Sequence, residues 1–529
     1  MSSLSEIRPQ TTALPLDIAL QGCGKWQMWT DENGLVDPSD TLKALPVAGV
    51  SVSTDDLDVD WAFVGIPGAH RHGASLGETA RLGGASIIVT DQDGAQLAQD
   101  AGLPIVVVSD PRRTAAIMAT NLHTPAQKDL VIAGVTGTNG KTTTTYFLRS
   151  ALASGLGNMG LFGTLEVNTG SLSIKSVRTT HEAPVVHRAL AATAQAGLRG
   201  AVVEVSSHAL SLGRVDGVDF DLAIFTNLQH DHLDFYDNSM DLYFEAKASL
   251  FEPSRTRVGV SAVDDEYGRR LVREAQIPLH AVQVLTDDDL SDLAVPLWRV
   301  TGVTPNRAIG GNTFTLTDPS GTEYQAVCPI PGLVNVQDAA LAIVGAGLLG
   351  VPIQDAIDGV ANAPAVPGRM QWVPSLPNQP LVLVDFAHTP EALERLLLDM
   401  RPLCHGEVIL VFGTDGDRDP SKRVPLGEVA AQSGDRLWVT DENPRWEDAQ
   451  DIRAQILEGV RKTRPSMKDV IEVTTCRRDA IREAIYSAKE GDVVIISGKG
   501  PETYQDIRGV KHAFEDAAVA SEVLAAYAK

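Results

Sequence analysis

The chain has 529 residues, 44 basic and 68 acidic, and a formal charge of -24; that length exceeds one hydrophobic core and predicts three domains. The charge argues against nonspecific binding to nucleic acid or to an anionic membrane, yet leaves room for a local pocket that takes a small anion. Cys23, Cys328, Cys404 and Cys476 lack paired spacing, the N-terminus lacks a signal-peptide pattern, and no apolar run is long enough to span a bilayer, so a reduced cytoplasmic protein without disulfides or zinc is expected.

Residues 1–125 predict a small α/β domain. Ala62–Ile66, Ala85–Val89 and Pro104–Val108 read as strands, Gly77–Leu82 and Thr114–Leu122 as helices, and Thr124–Gln127 as a linker. The polar turns Ser51–Asp55 and Gly68–Gly73 could bind a ligand or be ordinary loops. Residues 126–365 predict a larger α/β domain, with strands at Leu130–Val135, Gly200–Val205, Leu222–Thr226 and Arg257–Val260 separated by helical stretches such as Pro184–Ala196. Such alternation implies a mostly parallel sheet covered on both faces, with ligands at the carboxyl ends of its strands. Residues 366–529 repeat the pattern: Leu381–Asp385, Val408–Phe412, Arg436–Thr440 and Asp492–Ile496 read as strands, each followed by a polar turn. On one sheet edge those turns would place His388, Arg418, Arg445 and Glu502 around a rim.

The most informative stretch is Gly137-Thr138-Asn139-Gly140-Lys141-Thr142-Thr143, between an apolar strand and a helix. Strand, glycine turn and Lys-Thr opening a helix form the context of a phosphate-binding loop. Glycines let backbone N–H groups line one concavity, and the helix N-terminus adds positive potential. Lys141 can reach outer phosphates and Thr142 can offer a hydroxyl to Mg²⁺. Val135, not glycine, stands five residues before Gly140, so the spacing is not the common one.

With Thr179-Thr180, Glu204-Val205-Ser206-Ser207-His208, Asp231-His232-Leu233-Asp234, Glu245-Ala246-Lys247, Gly332-Leu333-Val334-Asn335, Gly368-Arg369-Met370 and Asp385–Pro390, the chain resembles the Mur ligase family, most closely its tripeptide synthetases. The resemblance implies a UDP-binding domain, a central ATPase domain and a C-terminal Rossmann-like domain. It implies a cytoplasmic, monomeric ligase of peptidoglycan precursor synthesis that uses ATP and Mg²⁺. ATP would phosphorylate a carboxylate of UDP-N-acetylmuramoyl-L-Ala-D-Glu, and the amine of a free diamino acid would attack the acyl phosphate. Catalytic roles then fall to Lys141, Glu204, His232 and Lys247, the last carbamylated. Mg²⁺ would be held by Thr142, Glu204, His232 and carbamylated Lys247. ATP would meet Gly137 to Thr143 with Asn335, Arg369 and Asp385. The UDP-substrate would meet Ser53 (or Thr54), Thr179, Thr180, Ser206 and Arg214, with Leu212 where the family often has glutamine. Asp338 replaces a second family asparagine.

The incoming amino acid would meet Arg418, Asn443, Arg445, Gly498 and Glu502. Arg445 suits the second carboxylate of meso-diaminopimelate. Asp415, an added carboxylate, suits an ammonium terminus, as in lysine or ornithine, and Pro501 replaces a family histidine; the amino acid stays open. A folylpolyglutamate-synthase-like ligase would share the phosphate loop and the carbamylated lysine. A non-catalytic nucleotide-binding module would need no amino-acid pocket. The N-terminal domain and the Glu442-Asn443-Pro444-Arg445 turn argue against the first of these; phosphate release that requires both substrates would separate a ligase from the second.

Overall fold

The computed structural model describes residues 3–527 except 31, 33, 69, 232, 291, 307 and 377. It divides into two compact units, one of Met1–Arg299, Asp318–Thr322 and Gln337–Val360, the other of Val300–Thr317, Glu323–Val336 and Ala361–Lys529. Both are mixed α/β with mainly parallel sheets, as expected.

The first unit holds two large sheets. One consists of β1 (Gln27–Thr30), β2 (Gly34–Val36), β3 (Gly49–Ser51), β4 (Trp61–Val64), β5 (Ala85–Thr90) and β6 (Ile105–Val107), in the order β2-β1-β6-β5-β4-β3. Strands β3 to β6 run parallel. Their apolar runs bury both faces: Ala62, Val64, Ile87, Val89 and Val106 enter one core, and Phe63, Ile88, Ile105 and Val107 the other. That division is the period of two of a strand. The helices α1 (Gly77–Leu82), α2 (Gln92–Ala98) and α3 (Pro111–His123) follow in this region. Helix α3 starts sharply because Asp110 accepts from the Arg113 amide at 2.9 Å and Pro111 takes the first helical position. The expected linker after it is instead a short 3₁₀ turn at Thr124–Ala126 followed by buried Gln127, whose amide donates to the His187 carbonyl at 2.9 Å.

The second sheet positions the candidate site. Its strands are β7 (Val131–Thr136), β8 (Met159–Phe162), β9 (Glu166–Asn168), β10 (Ser173–Lys175), β11 (Gly200–Glu204), β12 (Phe220–Phe225), β13 (Thr256–Ala262) and β14 (Leu279–Gln283), in the order β10-β9-β8-β11-β7-β12-β13-β14. From β8 to β14 the pairing is parallel, and β15 (Leu297–Asn306) continues it through Leu297–Arg299. The helices in this stretch are α4 (Lys141–Leu156), α5 (Ala183–Gln195), α6 (Ser207–Ser211), α7 (Met240–Ala248), α8 (Glu266–Glu274) and α9 (Leu333–Leu348), the last contributing its residues from Gln337 onward. Strand β7 lies between β11 and β12, so the connections leave it in opposite directions. A crevice at the carboxyl end of β7 follows from that reversal.

The second unit contains the antiparallel hairpin β16 (Gly311–Thr317) and β17 (Glu323–Cys328). Its main sheet is built from β18 (Gln371–Val373), β19 (Leu381–Asp385), β20 (Val408–Phe412), β21 (Arg436–Val439), β22 (Val470–Glu472) and β23 (Val493–Ser497), ordered β18-β19-β23-β20-β21-β22. All but β18 run parallel, so the turns after β19, β20, β21 and β23 leave by one edge. A second hairpin, β24 (Tyr504–Ile507) with β25 (Val510–Ala513), follows the turn after β23. Helices α10 (Pro390–Met400), α11 (Arg423–Ser433), α12 (Ala449–Thr463), α13 (Arg477–Ser487) and α14 (Asp516–Tyr527) complete the layers.

Candidate active site

The Gly137–Thr143 turn joins β7 to α4, with Gly137 at φ +147° and Gly140 at φ +84°, left-handed backbone that suits glycine. A Cβ on Gly137 would stand 1.9 Å from Thr226 Oγ1, and one on Gly140 would stand 2.4 Å from Asp338 Oδ1. The helix begins at Lys141, as a Lys-Thr pair opening a helix requires, which puts Lys141, Thr142 and Thr143 in its first turn. Lys141 Nζ donates to the Gly137 carbonyl at 3.0 Å and the Thr138 carbonyl at 2.8 Å. Asn139 rests on the β12 exit: its amide donates to Asn227 Oδ1 at 3.0 Å, and its carbonyl accepts from Thr226 Oγ1 at 2.6 Å.

Two groups converge on this loop from a distance. Lys247, on α7 and 1% exposed, donates to the Gly137 carbonyl at 2.8 Å. Burial first, and then the charge of Lys141, push its ammonium well below the usual lysine range. Glu204, at the end of β11, is fully buried, and burial raises its carboxyl pKa. It accepts from Thr142 Oγ1 at 3.1 Å, from Thr164 Oγ1 at 2.9 Å and from the Thr164 amide at 3.0 Å. His232 lies outside the described residues.

Thr179, Thr180, Ser206 and Arg214 lie together beside Glu204. Thr180 Oγ1 donates to the Glu204 carbonyl at 2.8 Å and accepts from the Ser206 amide at 3.0 Å. Thr179 Oγ1 lies 3.1 Å from Thr164 Oγ1, and Arg214 Nη1 donates to the Thr180 carbonyl at 3.3 Å. Ser53 follows β3 of the other sheet in the same unit, and its hydroxyl caps a short 3₁₀ turn that contains Thr54.

In the second unit, Asn335, Arg369 and Asp385 form one neighbourhood. Asn335 Nδ2 donates to the Pro331 carbonyl at 2.6 Å and stands 3.2 Å from Met370 Sδ. Asp385 accepts from the amides of Met370 at 2.7 Å and Ala387 at 2.8 Å. The Arg369 guanidinium sits 5.2 Å from the Phe386 ring centre.

The rim of that sheet is a charge network. Asn443, 1% exposed, donates to Asp415 Oδ1 at 2.8 Å and Glu502 Oε2 at 2.9 Å, and accepts from Lys499 Nζ at 2.9 Å. Arg445 pairs with Asp415 at 3.0 Å, and Lys499 with Glu502 at 2.8 Å. Gly498 has φ +114°, and a Cβ there would stand 2.3 Å from Oε2 of buried Glu442. Burial, then the charge of Asp415, raise the Glu442 carboxyl to about 8. Arg445 and Glu502 thus meet through Asp415 and Asn443. Of the other two expected rim residues, His388 turns its Nδ1 to the Phe386 carbonyl at 2.8 Å and Arg418 is exposed.

Sequence reasoning missed Thr164, Lys499 and the burial of Glu442. Only Lys499 carried a local signal, as the lysine of a Gly-Lys-Gly turn. The others matter through partners far away in the chain.

Comparison with known proteins agrees with this arrangement. Residues 135–346 match the Mur ligase middle domain, and residues 368–500 the Mur ligase, glutamate ligase domain. A UDP-N-acetylmuramyl-tripeptide synthetase from Leifsonia xyli is 40% identical over 481 residues, covering 90% of this chain and 91% of its own. A UDP-N-acetylmuramoyl-L-alanyl-D-glutamate--2,6-diaminopimelate ligase from Streptomyces coelicolor is 38% identical over 495 residues, 93% of this chain and 95% of its own. A solved structure of a ligase with the latter name matches at TM-score 0.67 and 27% identity, over 93% of this chain and 98% of that one. Sequence likeness over nearly the whole length and the phosphate loop at a parallel-sheet switch point lead to one conclusion: the chain belongs to the Mur ligase family of ATP-dependent ligases.

Proposed function

We propose that this ligase joins a diamino acid to UDP-N-acetylmuramoyl-L-Ala-D-Glu in peptidoglycan precursor synthesis, with residues 1–125, 126–365 and 366–529 as UDP-substrate, ATP and amino-acid domains. The observation that carries the reading is the convergence of Lys141 and Lys247 on the Gly137 carbonyl, in the same crevice as buried Glu204. A phosphoryl group passing from ATP to a carboxylate brings two anions together, so a cation fixed beforehand, Lys141, lowers the barrier. Lys141 exchanges its two loop carbonyls for phosphate oxygens. The fully buried Glu204 carboxylate and the Thr142 hydroxyl it accepts from form a hard-oxygen donor set that fits Mg²⁺.

Lys247 fits carbamylation because only the neutral amine attacks CO₂, and its burial favours that form. The N–C bond forms as a proton leaves, and a cation becomes an anion. Thr142, Glu204, His232 and a carbamate on Lys247 would hold the metal, which would supply charge neutralisation at the triphosphate. Arg214, Ser206, Thr179 and Thr180 orient the accepting substrate, and Ser53 meets its uridine end. Asn335, Arg369 and Asp385 take the adenine, phosphates and ribose. The amino acid's amine then attacks the acyl phosphate, forming the amide and releasing phosphate.

For the amino acid, the Arg445–Asp415 ion pair favours an ammonium-ended side chain, because Asp415 already neutralises the arginine that a second carboxylate would need. The experiment is phosphate release with ATP, the UDP-dipeptide and a diamino acid, each omitted in turn. Release should require all three, and Lys141→Ala should nearly abolish it while the chain stays folded. Equal release with ATP alone, or near-full turnover by Lys141→Ala, would reject the assignment.

A further inference from the structure

Three arginines from separate segments meet one carboxylate beside the Thr180 carbonyl. Arg112, in the first turn of α3, reaches Glu182 Oε2 at 2.7 Å. Arg178, just before Thr179, reaches Oε1 at 2.9 Å. Arg214 brings its Nε to 3.1 Å from the same oxygen, but that buried N–H makes no hydrogen bond. Glu182 stands at the N-cap of α5, yet its side chain does not cap the helix. Its two oxygens are committed to guanidiniums instead. Three positive charges against one negative leave an excess of about two, and the 13-residue helix beginning at Ala183 adds positive potential. In a chain of net charge -24 this is a local exception. It is also open to solvent, with the Arg178 side chain 52% and that of Arg112 30% exposed. The carboxylate can accept from all three guanidiniums, so the number of bonds is not what sets this cluster apart; its uncompensated positive charge and the Arg214 Nε without a hydrogen bond do.

We propose that Arg112 and Arg178 join Arg214 in an anion subsite for the UDP-substrate, with Glu182 as the internal counter-ion that holds the guanidiniums in place. This rests on the reading above that the chain takes a UDP-muramoyl dipeptide. The ligand group is a diphosphate or a carboxylate, both of which match guanidinium N–H geometry.

The test is calorimetric binding of UDP-N-acetylmuramoyl-L-Ala-D-Glu and of UDP alone to the full chain and its Arg112→Gln, Arg178→Gln and Arg112→Lys variants, with KM and kcat for every substrate. Each glutamine variant should weaken the UDP-dipeptide roughly ten- to a hundredfold, leave KM for ATP and amino acid unchanged, and be partly rescued in Arg112→Lys. Parallel weakening of UDP assigns the diphosphate, and weakening of the dipeptide alone assigns a carboxylate. Unchanged affinity for both probes overturns the subsite. So does a uniform change in every KM and kcat together with a lower melting temperature, the signature of a clamp. Because binding is read without turnover, a wild-type chain that binds the UDP-dipeptide but releases no phosphate refutes the ligase reading and leaves the subsite standing.

Discussion

At the scale of single residues, the site depends on charge states that burial decides. Lys247 on composition alone is a solvated helix lysine. Its actual place, against the Gly137 carbonyl and 1% exposed, makes the ammonium costly and the amine reactive. Lys247→Ala should lose turnover while still binding ATP, and added short carboxylates should restore part of it. Intact mass of enzyme held in bicarbonate should carry one carbamate, absent in the variant; a plain amine in fully active enzyme would sink the assignment. Glu442 titrates by the same physics. Its folded carboxyl is raised from 4.5 to about 8, so the folded state binds the proton more tightly than the unfolded chain. The resulting stabilisation is complete below about 4.5 and is lost as pH rises through about 8. The melting temperature should therefore fall between about pH 4.5 and about pH 8 and level off above that, and Glu442→Gln should flatten that fall. Identical slopes in both proteins would mean that Glu442 is ionised throughout.

Elements are held in place by pairs of distant side chains. Arg477, at the start of α13, and Asp516, at the start of α14, are both fully buried and paired through two hydrogen bonds of 2.8 Å. Arg477 also donates to the carbonyl of Ser497, the last residue of β23, at 2.9 Å. One guanidinium thus ties two helix starts to the strand whose turn carries Lys499 and Glu502. Arg477→Ala leaves a buried carboxylate unpaired and should cost about 3–5 kcal/mol of stability. Replacing both partners with apolar side chains in one double variant, Arg477→Met with Asp516→Leu, should recover most of that loss. Denaturant melts of the single and double variants check this, and an undisturbed midpoint for Arg477→Ala would show that the pair contributes little.

For the molecule as a whole, the charges of the rim select the amino acid that enters, and two variants test the selection. If Arg445 holds a second carboxylate, Arg445→Ala should cost about 1.5–3 kcal/mol, roughly ten- to over a hundredfold in kcat/KM, for diaminopimelate alone. If an ammonium is the true ligand, Asp415→Ala should carry the loss, for lysine and ornithine. Assaying both variants against all three amino acids separates the cases. A uniform loss across the panel would make Arg445 a structural residue of its turn, a role its φ of +52° and its backbone bonds with Asp506 and Arg508 already give it.

The strands that were legible in the sequence are the buried parallel ones. Leu381–Asp385 and Val408–Phe412 match to the residue, because a strand covered on both faces must be an uninterrupted apolar run. The glycine turn from β7 into α4 was legible too, since strand, glycines and Lys-Thr act through local backbone geometry. The short antiparallel pairs, such as β9 with β10 and β24 with β25, were not, for half-exposed segments of three or four residues carry little pattern. Nor were the electrostatics. That Lys247 is buried, that three arginines share Glu182, and that Asp415 pairs with Arg445 all depend on neighbours brought together by folding. The sequence by itself determined the buried parallel strands and the glycine turn that opens α4, because those follow from contiguous residues. Only the tertiary structure decided which charges are buried and which are paired, because desolvation and Coulomb energy depend on distance in space and not on distance along the chain.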